Sequence, residues 1–247
     1  MFQKIKNTFK KRNEEAILNR FKWWEKLRFK RDKQSREAVD KLMENSKLEL
    51  SFFVMSGLSA ILATLGILLN DIPILIAAMV LAPLLNPVLA CAAGFAINNK
   101  TLVWYALKSF IGSVVFVILV SAALVFILDN IGYDFDISLF ADKFRRFDHL
   151  LFLAAFVSGF AGVYSWLKAT NSSNLVGVAI AVSLIPFVSF FGVLLGLQEF
   201  GMINNYWQPF VINLLTILIG ATSAFLLLGF SRQKKSLDQE VEQNKED

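Results

Sequence analysis

Ile76-Ala77-Ala78-Met79-Val80-Leu81-Ala82-Pro83-Leu84-Leu85-Asn86-Pro87 is an apolar run that carries two prolines four residues apart with an asparagine between them. Proline has no backbone N–H and crowds the carbonyl four residues earlier, so the run predicts a helix interrupted in its own middle. It sits inside a longer apolar segment, 72–97, bounded by Asn70-Asp71 and Asn98-Asn99-Lys100. That is enough chain to cross the hydrocarbon of a bilayer, which takes about 20 apolar residues. Broken backbone in hydrocarbon persists only where protein or water satisfies it. Asn86 offers both a donor and an acceptor for that purpose. Two readings stay open: a kink packed against neighbouring helices and capped internally by Asn86, or a binding site.

The rest of the chain has the same character. Over 247 residues, 55% are apolar and 18% charged, with 24 Phe and a mean hydropathy of +0.54, too apolar for the surface of a soluble domain. Residues 1–47 hold 15 Lys/Arg against 7 Asp/Glu, and residues 231–247 hold 4 against 5, leaving 14 charges for residues 48–230. Six segments qualify as spans: Leu50–Leu69, Ile72–Ile97, Leu102–Leu128, Leu150–Leu167, Leu175–Leu197 and Trp207–Phe230. The expected organisation is a basic cytoplasmic head (1–47), an all-α transmembrane domain (48–230) and a polar cytoplasmic tail (231–247). No apolar leader precedes Leu48 in the sequence, so Leu48 onward is expected to act as the first inserted span.

Six crossings place both termini on one side. The head, Lys100, Lys168, Arg232, Lys234 and Lys235 then share a face, and the positive-inside bias makes that face cytoplasmic. The bilayer expected is the cell membrane. In the head, Ile17, Phe21 and Trp24 recur at helical spacing among Lys and Arg, the pattern of an amphipathic helix on anionic headgroups. Val39, Leu42 and Met43 are expected to carry that helix on into the first span. Phe140, Phe144 and Phe147 among Lys143, Arg145 and Arg146 predict a short helix at the outer interface. The basicity is confined to one juxtamembrane segment, which argues against a nucleic-acid partner.

The second and fifth spans resemble each other. Ile76–Leu84 aligns without gaps on Ala179–Phe187, matching at Ala78/Ala181, Leu81/Leu184 and Pro83/Pro186. Each is the middle member of a three-span half, and three is odd, so the halves would form inverted repeats with a broken helix at equivalent positions. That arrangement points to a transporter site near the midplane. The candidate path is Pro83, Asn86 and Pro87 with Ser183, Pro186 and Ser189. Asp71 and Asn174, ahead of the two proline spans, read as helix N-caps. Gly192/Gly196 is the best of several small-residue pairs for a close helix crossing, and a homo-oligomer is expected.

Ala78-Met79-Val80-Leu81-Ala82-Pro83-Leu84-Leu85-Asn86-Pro87 and Leu175-Val176-Gly177-Val178-Ala179-Ile180-Ala181-Val182-Ser183-Leu184-Ile185-Pro186 resemble the two signature segments of a prokaryotic membrane-protein family, that of domain of unknown function 389. The resemblance covers roughly residues 50–197. It implies a multi-pass membrane protein and agrees with the repeat, and it brings no activity with it. It departs where Asn86 stands for a frequent glycine, where Pro186-Phe187 stands for a frequent double proline, and where the basic head takes the place of a soluble domain found on some members.

The reactive residue types are sparse. The single His149 lies at a span end, Cys91 lies in an apolar run, and no Asp, Glu or Arg falls within the expected spans. Lys108 is close enough to a span end to snorkel. A carboxylate relay, an intramembrane protease and a metal centre are all disfavoured, and neither an enzyme nor a cofactor is expected. The function expected is a small-solute or ion transporter or channel, the alternative a non-transporting scaffold whose basic head binds anionic lipid or a cytoplasmic partner.

Overall fold

The computed structural model describes residue 37 and residues 39–135, 137–145, 149–168, 184–228 and 230. Most of the amphipathic head, Asn174, Ser183, the first half of the expected fifth span and the tail lie outside the described residues. Among the described residues every regular element is a helix. They are α1 (Leu50–Leu68), α2 (Ile72–Leu81), α3 (Leu85–Ile97), α4 (Lys100–Asn130), α5 (Ser138–Arg145), α6 (His149–Lys168), α7 (Leu184–Gly196) and α8 (Phe200–Leu227). Four of them, α1, α4, α6 and α8, are long and apolar enough to cross a membrane, and α2 with α3 makes a fifth crossing if the bent pair is one span. Exposed Leu50, Leu69, Leu119, Ile131, Leu150, Leu153, Ile219 and Leu227 cover the outside of the bundle. An apolar surface of that extent belongs in lipid, and the protein is an all-α membrane protein.

Three of the connections are the same tight turn. Asn70, Asn98 and Gln198 hold φ of 51°, 55° and 60°. In each turn the next residue's N–H returns to a carbonyl five residues back: Asp71 to Gly66 at 2.9 Å, Asn99 to Gly94 at 2.9 Å and Glu199 to Leu194 at 2.8 Å. This is the Schellman closure, which satisfies the last carbonyls of one helix within a single reversal. The residue after each left-handed position starts the next helix. Asp71 accepts from the Ile74 N–H at 3.0 Å and Asn99 from the Leu102 N–H at 2.9 Å, so Asp71 is an N-cap as its position predicts, whereas Glu199 makes no side-chain cap.

Two boundaries differ from expectation. The sequence reads Gln198–Tyr206 as a polar break, yet α8 begins at Phe200 and runs 28 residues with Pro209 inside it. The Schellman turn reverses the chain at once, and the polar residues Asn204, Asn205 and Gln208 sit on the exposed face of a helix. The head does not continue into α1 either. Residues 39–44 are helical, residues 45–49 break, and Val39 and Leu42 are fully buried with Met43 3% exposed. They pack in a cluster with Leu89, Ile97, Leu102, Phe225 and Phe230, so this part of the head is docked on the helical domain. The Ser109 hydroxyl donates to the Ser46 carbonyl and fixes the break in place.

The short helix expected after the third span is present as α5. Its Phe140 is 3% exposed, and the helix packs on α8.

The two short helices are the centre of the bundle. From Pro87 to Ile97 every residue of α3 but Phe95 is buried, and every residue of α7 but Phe187 and Leu195. At 13 residues α3 is about 20 Å long, less than the ~30 Å of hydrocarbon, and α7 is described from Leu184 onward. Each packs across the chain's two halves: α7 on α4 and α1, α3 on α8 as well as on α4. The contact of α7 with α4 is close, because a Cβ on Gly196 would stand 2.7 Å from the Val125 Cβ and one on Gly192 2.7 Å from the Ile118 carbonyl oxygen. Gly192 and Gly196 thus make the close crossing their spacing predicts.

Candidate functional site

The interruption between α2 and α3 has one cause. Pro83 disfavours helical geometry in the residue before it, and Ala82 is extended at φ −72°, ψ 125°. Leu84 returns to helical angles, α3 starts at Leu85, and the two axes differ by 54°. Pro87 then stands third in α3, inside the first turn, where a missing N–H is one that would have had no helical partner. Two prolines four apart therefore make one break.

Of the two readings open for Asn86, the internal cap is not what the structure shows. The Asn86 backbone N–H donates to the Pro83 carbonyl at 3.2 Å, closing the turn, while its half-buried carboxamide makes no hydrogen bond among the described residues. Its side chain does not cap the break. The neighbouring tie comes from α1, whose Ser59 hydroxyl donates to the Ala78 carbonyl at 2.7 Å, in the last turn before the break.

Pro186 is third among the described residues of α7 and is buried. Counted back from the left-handed residues that end the two helices, Pro186 stands 12 before Gln198 and Pro87 stands 11 before Asn98, whereas Pro83 stands 15 before. Counted this way, Pro186 falls at the position of Asn86, between Pro83 and Pro87, so the helix ends do not reproduce the gapless match with Pro83. From α7, Phe190 meets Tyr206 edge-on at 5.1 Å and Phe191 meets Phe210 at 5.7 Å, locking the helix against α8.

Besides the cross-helix bonds of Ser59 and Ser109 and the Asn99 cap, the hydroxyls within the helices behave in two ways. Thr64, Ser113, Ser158 and Thr216 return their hydroxyls to the carbonyl four residues earlier at 2.6–2.8 Å, the ordinary accommodation of a helical hydroxyl. Ser56, Ser121 and Ser189 are fully buried and have no hydrogen-bond partner among the described residues. Of these three, sequence reading singles out Ser189 alone. Ser56 reads there only as a small residue, and Ser121, in a span without proline, carries no local signal. The side chains buried in this region are neutral, and no group of three or more His, Cys, Asp or Glu that could hold a metal occurs among the described residues. Lys108 stays exposed, its Nζ 5.3 Å from the centroid of the exposed Trp104 ring, a pairing suited to a span end.

The family model described as Domain of unknown function (DUF389) matches residues 79–219. The chain belongs to this family. The matched stretch opens in the last turn of α2 and runs through α3, α4, α5, α6 and α7 into α8, so it takes in the α2–α3 break and both buried helices. An uncharacterized protein of Methanocaldococcus jannaschii is 32% identical over 180 residues, 72% of this chain and 54% of that protein. The chain spans about half the length of the curated relative it matches. No solved structure matches.

Proposed function

We propose that this DUF389 protein is a small-solute or ion transporter, or a channel, with its path at the broken helices. One observation carries the reading: a buried helix too short to cross a bilayer, α3, that begins at a proline break and packs on the other half of the chain, with the proline-bearing α7 buried across the same halves. Half-length helices inside a membrane bundle leave backbone groups at mid-depth, and such groups are the usual material of a transport site. In this reading the chain crosses six times, as α1, α2 with α3, α4, α6, residues 175–183 with α7, and α8. The two three-span halves are inverted copies.

The gapless match of Ile76–Leu84 with Ala179–Phe187 supports the repeat. Both termini lie in the cytoplasm of a cell whose surface membrane holds the protein. The basic head meets anionic headgroups, the protein assembles as a homo-oligomer, and no catalytic step or nucleic-acid partner is involved.

Reconstitution in liposomes of mixed neutral and anionic lipid tests this. Uptake of a panel of small uncharged solutes and alkali ions is expected above that of empty liposomes for at least one compound, and Asn86→Ala is expected to change its rate. Absence of flux for the whole panel, with the protein folded and inserted in one orientation, would favour the non-transporting scaffold.

A further inference from the structure

Residues 39–46 sit in a seat at one end of the bundle. Val39, Leu42 and Ser46 are 0% exposed, while Lys41, Glu44 and Asn45 on the other side of the same turns are exposed. Val39, Leu42 and Met43 belong to one buried cluster with Ile97 in the last turn of α3, Leu102 in the first turn of α4, Val163 near the end of α6 and Phe225 in the last turn of α8. All of these positions lie at the end of the bundle where α3 stops. To this cluster α3 brings small side chains: apart from the exposed Phe95, every residue from Ala90 to Ala96 is alanine, cysteine or glycine. Side chains of that size leave a groove beside a helix unless a neighbour fills it. Val39, Leu42 and Met43 are the larger side chains that the head supplies there.

The segment is closed upon itself. The Ser46 hydroxyl donates to the Leu42 carbonyl at 2.6 Å, and the N–H groups of Asn45, Ser46 and Lys47 donate to the carbonyls of Lys41, Met43 and Glu44 at 2.9–3.1 Å. These bonds travel with the segment. It is held in its seat by apolar contact and by the bond from the Ser109 hydroxyl of α4 to the Ser46 carbonyl. Residues 47–49 then run without helix to α1, and Leu48 and Glu49 are exposed, so the segment meets the first span through a joint. A short element whose backbone bonds are internal opens at a lower free energy than the bundle beneath it.

We infer that residues 39–46 are a hinged plug, which leaves its seat while the bundle stays folded and, when seated, closes the end of the bundle at which α3 stops. The transport reading makes this the regulation of the path beside α3, and for that part the plug rests on it. The hinged motion stands or falls by itself.

Two buried serines give a matched pair of reporters. Ser46 and Ser113 are each 0% exposed, and each donates to the carbonyl four residues earlier at 2.6 Å, the first within the segment and the second within α4. Ser46→Cys and Ser113→Cys, each in the full-length protein with Cys91→Ala, are alkylated by N-ethylmaleimide in lipid nanodiscs. A hinged plug predicts that Ser46→Cys reacts at least about tenfold faster, because its exposure needs no unfolding of the bundle. Adding Ser109→Ala is expected to raise the Ser46→Cys rate about fivefold, the population change that one hydrogen bond makes, and to leave Ser113→Cys as it was. Equal rates for the two reporters, or a Ser46→Cys rate that Ser109→Ala does not raise, would overturn the proposal.

Liposome uptake separates the plug from the transport reading. For a compound that wild type passes, Leu42→Ala is expected to raise the rate severalfold, and an unchanged or lower rate would overturn the closing role. If the cysteines react as expected and neither protein passes any compound, the plug stands and the transport reading alone falls.

Discussion

The Ser59 hydroxyl of α1 donates to the Ala78 carbonyl of α2 at 2.7 Å, one turn before the backbone turns extended at Ala82. Lying 19 positions apart in sequence, the two groups join the first span to the end of the helix that breaks. In α2, Leu75 and Ala78 are buried, whereas Ile72, Ile76 and Val80 are exposed. The half-helix therefore depends on few contacts, and this bond is one of them. On the other side of the break, α3 is held on nearly all faces. The break accordingly separates a firmly packed helix from one attached along a single edge.

Ser59→Ala is expected to lower stability by about 1 kcal/mol, the usual worth of a buried hydroxyl bond between membrane helices. Ser59→Thr, which keeps the donor, is expected to lose less. Unfolding in mixed micelles, followed by tryptophan fluorescence, measures both.

Pro83→Ala and Pro87→Ala are expected to differ. The first restores an N–H and releases Ala82 from its extended angles, so α2 and α3 move toward one axis. The second falls in the first turn of α3 and leaves the 54° bend as it is. Spin labels at Ile72 and Phe95, both exposed, with Cys91 replaced by alanine, report the change. Their separation should lengthen by several ångström in Pro83→Ala alone, and equal separations in the two variants would mean that packing sets the bend.

Much of this was legible in the sequence, for a physical reason. A span is a matter of length and apolarity, so the long helices could be read off directly. Pro83 announces a break because proline acts through its own covalent structure. Asp71 announces a cap because its carboxylate reaches a backbone N–H three residues on.

What could not be read depends on groups distant in sequence. Nothing near Ser121 says that Gly192 of α7 lies against it. Nothing near Asn86 says that its backbone rather than its carboxamide closes the turn. The start of α8 is hidden because Asn204 and Asn205 look like a loop until a tight turn at Gln198 has already reversed the chain.

The docked piece of the head offers a third prediction. A lipid-facing helix tolerates leucine-to-alanine changes, whereas Leu42 is fully buried against α3, α4 and α8 residues. Leu42→Ala is expected to cost about 2–4 kcal/mol through the cavity it leaves. Lys41→Ala, on the exposed side of the same turn, is expected to change stability by less than about 0.5 kcal/mol. Equal small losses in the two variants would return residues 39–44 to the lipid surface.

The crossing of α6 with α8, backbone against backbone at two glycines, gives the fourth. A Cβ on Gly220 would overlap the Phe156 carbonyl, and a Cβ on Gly159 would overlap the Ile217 carbonyl. Both obstacles are backbone, which cannot rotate aside as a side chain can, so even one methyl group must separate the helices. Gly220→Ala and Gly159→Ala are each expected to cost about 2 kcal/mol or more, at the upper end of overpacking effects. Gly201 is the control within α8: nothing lies within 4 Å of a Cβ placed there, so Gly201→Ala removes only the conformational cost of glycine and should stabilise by up to about 1 kcal/mol. The four proteins melted side by side decide it. Losses at 159 and 220 with a gain at 201 require the helices to meet at van der Waals distance, and a gain at all three would mean that α6 and α8 stand further apart.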